Sequence, residues 1–128
     1  MKSLKSYIQE KLVIKKSKYN YFPKTKEELK DIINQRIKQD GKEVDLNDID
    51  VSNITDMSDL FYDLDKFNGN ITKWNVSNVI NMNGMFDNCE NFNQDISKWN
   101  VSKVVYTDEM FDSCPIEDKY KPIFNNNI

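Results

Sequence analysis

The chain has no histidine and a single arginine, Arg36, among its 128 residues. Without His, the usual general base near neutral pH and the commonest metal ligand are both missing. Cys89 and Cys114 are the only cysteines. Two thiols exclude a disulfide-dense scaffold and a four-thiolate zinc site. The opening Met1 to Glu10 lacks the apolar core of about 7–15 residues that a signal peptide carries. No apolar run approaches the length of a membrane span. As written, the chain is expected in the cytoplasm, unless an export signal has been removed.

Hydrophobic residues make up 38%, with seven Phe, six Tyr and two Trp, enough apolar material for a folded core. The length suits one domain rather than two. Charge is uneven. Residues 1–30 carry nine Lys against three Glu, while residues 31–128 carry nine basic and eighteen acidic groups. The acidic part would repel phosphates, so nucleic acid is not an expected partner. Seventeen Asn and the lone Arg are read as reflecting base composition as much as function and carry little weight.

An offset of 25 lays the chain on itself. Ile49, Val51, Ile54, Met57, Leu60 and Phe61 align with Trp74, Val76, Val79, Met82, Met85 and Phe86. A third copy runs Trp99, Val101, Val104, Thr107, Met110 and Phe111. Leu64, Cys89 and Cys114 continue the columns, as do Phe67 and Phe92. The spacing Leu46–Ile49–Val51, repeated at Ile71–Trp74–Val76 and Ile96–Trp99–Val101, matches the strand signature of leucine-rich repeats. Met82, Met85, Phe86 and Cys89 recur at three and four, which predicts one or two helical turns. The expected fold is therefore α/β: a short leucine-rich-repeat-like solenoid with a short strand and a short helix in each 25-residue repeat. Stacked repeats would bury their apolar columns in common.

Three regions follow: an N-terminal helical, basic cap at 1–44, three repeats at 45–116, and a C-terminal cap and tail at 117–128. In the first, Thr25-Lys-Glu-Glu28 is a capping box ahead of Leu29, Ile32, Ile33 and Ile37, with Gly41 as the stop. Leu4, Tyr7, Ile8, Lys11 and Leu12 predict an earlier helix with Ser3 as its N-cap. Tyr19 to Phe22 reads as a short extended piece. Ile116, Tyr120, Ile123 and Phe124 are expected to fold over the last rung, and Asn125–Asn127 to fray.

The motif Trp-Asn-Val-Ser-x-Val, then Met-x-x-Met-Phe and Cys-x-x-Phe-Asn-x-x-Ile, resembles the BspA-like family of bacterial leucine-rich-repeat surface proteins. The resemblance covers about Leu46 to Cys114. It implies a repeat fold, a cell-surface location if an export signal was lost, and a role in adhesion.

Candidate chemistry is thin. Asp63 to Asn70 has the oxygens of a calcium loop, but Phe67 stands at the fifth position and Gly69 at the seventh, so the EF-hand spacing fails. Cys89 and Cys114 share a column on adjacent rungs, and a reduced pair is expected in the cytosol. Asn53, Asn70, Asn75 and Asn100 each begin an Asn-x-Ser/Thr triplet. Three of these triplets follow from the repeat. No Glu or Asp pair has the flanking groups that acid–base work on a sugar requires. Neither a catalytic residue nor a cofactor or metal site is assigned.

The best surface is the outward set of the strands: Asp48, Asp50 and Ser52, then Lys73, Asn75 and Ser77, then Lys98, Asn100 and Ser102. Solenoids commonly bind partners on such a face. The Lys-rich N-terminal region, with Tyr7, Tyr19, Tyr21 and Phe22, is a second patch. The function expected is a non-catalytic protein–protein interaction module. Two alternatives stand beside it: a small intracellular inhibitor of a host protein, of phage or mobile-element type, and a structural remnant of a larger adhesin. Self-association through the end rungs is a further expectation.

Overall fold

The computed structural model describes residues 18–125. The expected first helix, with Ser3, Leu4, Tyr7, Ile8, Lys11 and Leu12, lies outside the described residues, as do Asn126 and Asn127.

One α-helix is present among the described residues, α1 at Lys26–Asp40. Thr25 caps it, its hydroxyl accepting from the Glu28 N–H at 3.1 Å. Glu28 reaches back one residue further than a standard capping box and accepts from the Lys24 N–H at 2.7 Å. Gly41 stops the helix with φ +93° and returns its N–H to the Ile37 carbonyl at 2.8 Å. Leu29 and Ile33 are the buried stripe. Lys26 meets Ser58 and Asp56 at one end of α1, and Ile37 shares a cleft with Leu64 and Phe67 at the other. The helix thus lies across the first rung.

The expected α/β solenoid of strand and helix is not what the repeats build. Among the described residues the repeats contain no strand and no α-helix; their pairings are isolated parallel bridges, Asp45 with Asn70, Asp56 with Asn81 and Asn81 with Tyr106. The physical reason is a side-chain acceptor at eight of the nine corners, Tyr106 being the exception. The motif Asx-apolar-polar-x-apolar occurs three times in the first rung, at Asp45-Leu46, Asp50-Val51 and Asp56-Met57. In each, the first carboxylate accepts from the N–H two residues on, at 2.9, 3.0 and 2.9 Å. Asn70, Asn75, Asn81, Asp95 and Asn100 do the same in the next rungs at 2.9–3.1 Å. Such Asx turns compete with ladder formation and bend the chain about every five residues. The following apolar residue then closes an i to i+3 bond, as with Trp74 N–H on the Ile71 carbonyl and Val79 N–H on Val76. Apolar residues at both ends of each turn face inward. The leucine-rich spacing is therefore two consecutive turns.

The predicted helical turns are also i to i+3 turns: Met85 on Met82, Asp87 on Gly84, Cys89 on Phe86. Left-handed residues interrupt them at Gly84 (φ +62°) and Asn88 (φ +63°), and equally at Asp59 and Asp63 below and Glu109 and Ser113 above. An α-helix cannot run through positive φ at every fourth residue. Gly84 has a second reason to lack a side chain: the Asp59 carboxylate lies where its Cβ would stand.

The repeats nevertheless stack in register. The N–H groups of Met57, Asp59, Phe61 and Asp63 each donate at 2.9 Å to the carbonyls of Asn81, Asn83, Met85 and Asp87. Met82, Gly84, Phe86 and Asn88 repeat this onto Tyr106, Asp108, Met110 and Asp112 at 2.8–2.9 Å. Inside, Phe61, Phe86 and Phe111 stack at 5.3 and 5.7 Å, Phe67 on Phe92 at 5.9 Å, and Trp74 on Trp99 at 6.4 Å, all nearly parallel. Fully burying each such side chain is worth about 1.5–3 kcal/mol, so these columns carry the fold. At the far end Ile116 and Pro122 are buried, Tyr120 and Phe124 half-buried, but Ile123 is 84% exposed and caps nothing.

Candidate functional site

The outward positions predicted as a binding face divide into two groups. Asp48 is consumed by structure. Its carboxylate accepts from Arg36 at 2.9 and 3.1 Å and from Asn20 at 2.9 Å. Burial opposes its ionisation, yet the Asn20 amide and the Arg36 guanidinium outweigh that and hold Asp48 below the usual carboxylate range. Asp50 is likewise closed on the N–H and hydroxyl of Ser52, at 3.0 and 2.6 Å. Asn75 and Asn100 accept from the N–H groups of Ser77 and Ser102. Lys73 and Lys98 are exposed one rung apart and form no ion pair among the described residues.

Arg36 is the residue that composition undervalued. From α1 it reaches Asp48 and Asp40, donates to the Asp45 carbonyl at 3.0 Å, and lies 5.4 Å from the Tyr21 ring. Tyr21 in turn bridges Ile49, so one guanidinium ties the helix, the Tyr21 segment and the first rung together. A cleft of about 460 Å³ opens beside it, lined by Lys18, Arg36, Asp45, Asn47, Asp48 and Lys73. In the second predicted patch Phe22 is 57% exposed, Tyr19 and Tyr21 are half-buried, and Tyr7 lies outside the described residues.

The Asn residues also have structural work. Beyond the Asx turns, Asn47 accepts from the Lys73 N–H, Asn68 from Asn93, Asn83 from Asp108 and Asn93 from Glu117, each one rung on. Three of the four apparent glycosylation triplets, at Asn70, Asn75 and Asn100, are Asx turns.

Another surface emerges on the outer wall. In the column Thr55, Ile80, Val105, the last two are 43% and 55% exposed, and the Val105 N–H donates to the Ile80 carbonyl at 2.8 Å. The next column reads Asp56, Asn81, Tyr106. The first two are Asx acceptors, whereas Tyr106 has no acceptor to offer its turn and is 52% exposed. Beside them the Lys103 ammonium donates to Asn78 at 3.1 Å. The signal was present in the sequence: Val79-Ile80 and Val104-Val105 are adjacent apolar pairs, and only one member of each can face inward.

Neither thiol is chemically forward. Burial, with the neighbouring Cys114, pushes the Cys89 thiol up to about 12, and its S–H donates to the Phe61 carbonyl at 2.9 Å. Burial raises Cys114 as well. Both are unpaired. Among the described residues no three acidic or thiol groups cluster as metal ligands, and no helix is long and apolar enough to cross a membrane.

A family model described as "Mycoplasma protein of unknown function, DUF285" matches residues 27–126. No curated protein and no solved structure matches the chain.

Proposed function

From the premise that the chain belongs to the DUF285 family, we propose that it is a non-catalytic protein-binding module whose contact surface is the outer wall around Ile80, Val105 and Tyr106. The observation that carries this reading is the exposed apolar column. The other apolar columns of the repeats face inward, yet this one stays outside on two successive rungs. Beside its last member stands Tyr106, a tyrosine in a column whose lower members are turn-forming acceptors. A contiguous exposed apolar patch with polar neighbours is the signature of a contact site. Lys73 and Lys98, whose ammonium groups form no ion pair among the described residues, supply a charged rim farther along the same rungs. The absence of His and the raised thiols argue against nucleophilic chemistry.

The Trp-Asn-Val-Ser-x-Val and Met-x-x-Met-Phe motifs support a kinship with BspA-like surface proteins, and with it a partner met at a cell surface. The test is capture from native lysate with the wild type, Ile80→Asp/Val105→Asp and Lys73→Glu/Lys98→Glu, each checked for unchanged thermal unfolding. Loss of a discrete partner in the first variant and weakening in the second is expected. An unchanged catch with Ile80→Asp/Val105→Asp would rule the wall out.

A further inference from the structure

The third rung ends the stack with a distinctive edge. In the two rungs below, every second N–H of the run from Met57 or Met82 donates to a carbonyl of the rung above. The equivalent groups in the last rung are the N–H groups of Thr107, Glu109, Phe111 and Ser113, and none donates to another described residue. The intervening carbonyls of Thr107, Glu109 and Phe111 are turned away, closing i to i+3 bonds with Met110, Asp112 and Cys114. The edge is therefore a row of donors without interleaved acceptors. An ordinary β-strand, which offers N–H and C=O alternately, does not match it. The carbonyls that do match are those at alternate residues of the same turn run, as Asn81, Asn83, Met85 and Asp87 already show.

Building on the binding-module reading, we propose that this edge docks one further rung of the same repeat, supplied by a different polypeptide whose first rung is uncovered. Two copies of the present chain do not satisfy it. Edge against edge sets donors against donors, and the opposite end of the stack, where the carbonyls of Asp56, Ser58, Leu60 and Tyr62 receive no bond from described residues, is crossed by α1. Asp108 and Glu109 extend the match. Asn83, one rung below Asp108, accepts from the backbone above it, and Asp59, two rungs below Glu109, lies against Gly84 of the next rung. The last-rung carboxylates stand where the same reach would serve an incoming rung.

The test is amide hydrogen exchange on the full chain, free and with a synthetic peptide of residues 76–100 added to millimolar concentration. In the free protein the amides of Thr107, Glu109, Phe111 and Ser113 exchange fast while those of Met82, Gly84, Phe86 and Asn88 are protected. The peptide slows the four end amides, a peptide of scrambled order does not, and the exchange of Ile80 and Asn100 is unchanged. Protection of the four in the free protein means that the edge is already covered and overturns the proposal. So does peptide binding that leaves them fast, or no slowing at millimolar peptide. Neither result touches the outer wall, whose test is the capture experiment.

Discussion

The indole N–H of Trp74 donates to the carbonyl of Leu46, 28 residues earlier, at 2.9 Å. Trp99 repeats the bond to Ile71 at 3.2 Å. The column begins with Ile49, on the first rung, and Trp enters only where a rung below supplies an acceptor. A buried indole needs such a partner, so the residue choice follows from the stacking.

Replacing Trp74 by Phe keeps most of the apolar area and removes one of the two bonds to the Leu46 carbonyl, which still accepts from the Ile49 N–H at 3.2 Å. The expected loss is about 0.5–1.5 kcal/mol, the net worth of one hydrogen bond, read from denaturant unfolding. Trp99→Phe, whose bond is longer, should lose less. Equal stability of Trp74→Phe and wild type would mean that the rungs are not held as described.

Arg36 joins three segments, so Arg36→Ala is expected to cost about 1.5–3 kcal/mol, the scale of a charged hydrogen-bond donor. Arg36→Lys should recover only part of this, because an ammonium cannot reach Asp48, Asp40 and the Asp45 carbonyl from one plane. Full rescue by Lys would reduce the clamp to simple charge pairing.

The Asx turns make a separate claim. Asn75→Asp keeps the acceptor and should be close to neutral, whereas Asn75→Ala should cost about 1 kcal/mol. Asn53→Ala, at a triplet that forms no Asx turn, is the control and should be silent.

Much of this was legible beforehand. The 25-residue period, the identity of the apolar columns and the cap of α1 all follow from spacing and from Thr25, Glu28 and Gly41. The division of each repeat into strand and helix was not. Leu46–Ile49–Val51 has the same apolar spacing whether it is one strand or two turns. The deciding information lay in Asp45, Asp50 and Asp56, whose side chains close the corners. In the next rungs that job falls to Asn at four corners and to Asp95 at a fifth, and Asn is a residue that composition invites one to discount. Of the predicted binding face, Lys73 and Lys98 form no ion pair among the described residues, while Asp48, Asp50, Asn75 and Asn100 accept hydrogen bonds from within the protein. Asp48 is taken by contacts 12 and 28 residues away, from Arg36 and Asn20, whereas Asp50, Asn75 and Asn100 are taken by their own Asx turns, two residues on.

Stability should fall at both pH extremes. The Cys89 thiol rises from 9.0 to about 12 on folding, so its contribution is full below pH 9 and is lost as pH climbs through 12. Cys89→Ala should flatten that alkaline limb, at the cost of a small cavity. Asp48 and Asp56 are held below 3.8, each against the opposing effect of burial, by Asn20 and Arg36 and by Ser58 and Lys26 respectively. Their contribution is present above about pH 4 and fades as pH falls through the lowered values. Thermal unfolding across pH checks both limbs, and an alkaline limb unchanged in Cys89→Ala would assign it elsewhere.

The most direct measurement of the central claim is site-specific photo-crosslinking, with a benzophenone side chain placed in turn at Val105, at Lys98 and at Asp65 on the full-length chain in native lysate. Position 105 should give a strong discrete adduct, position 98 a weaker one of the same partner, and position 65 none. Adducts from 65 with none from 105 would contradict that claim.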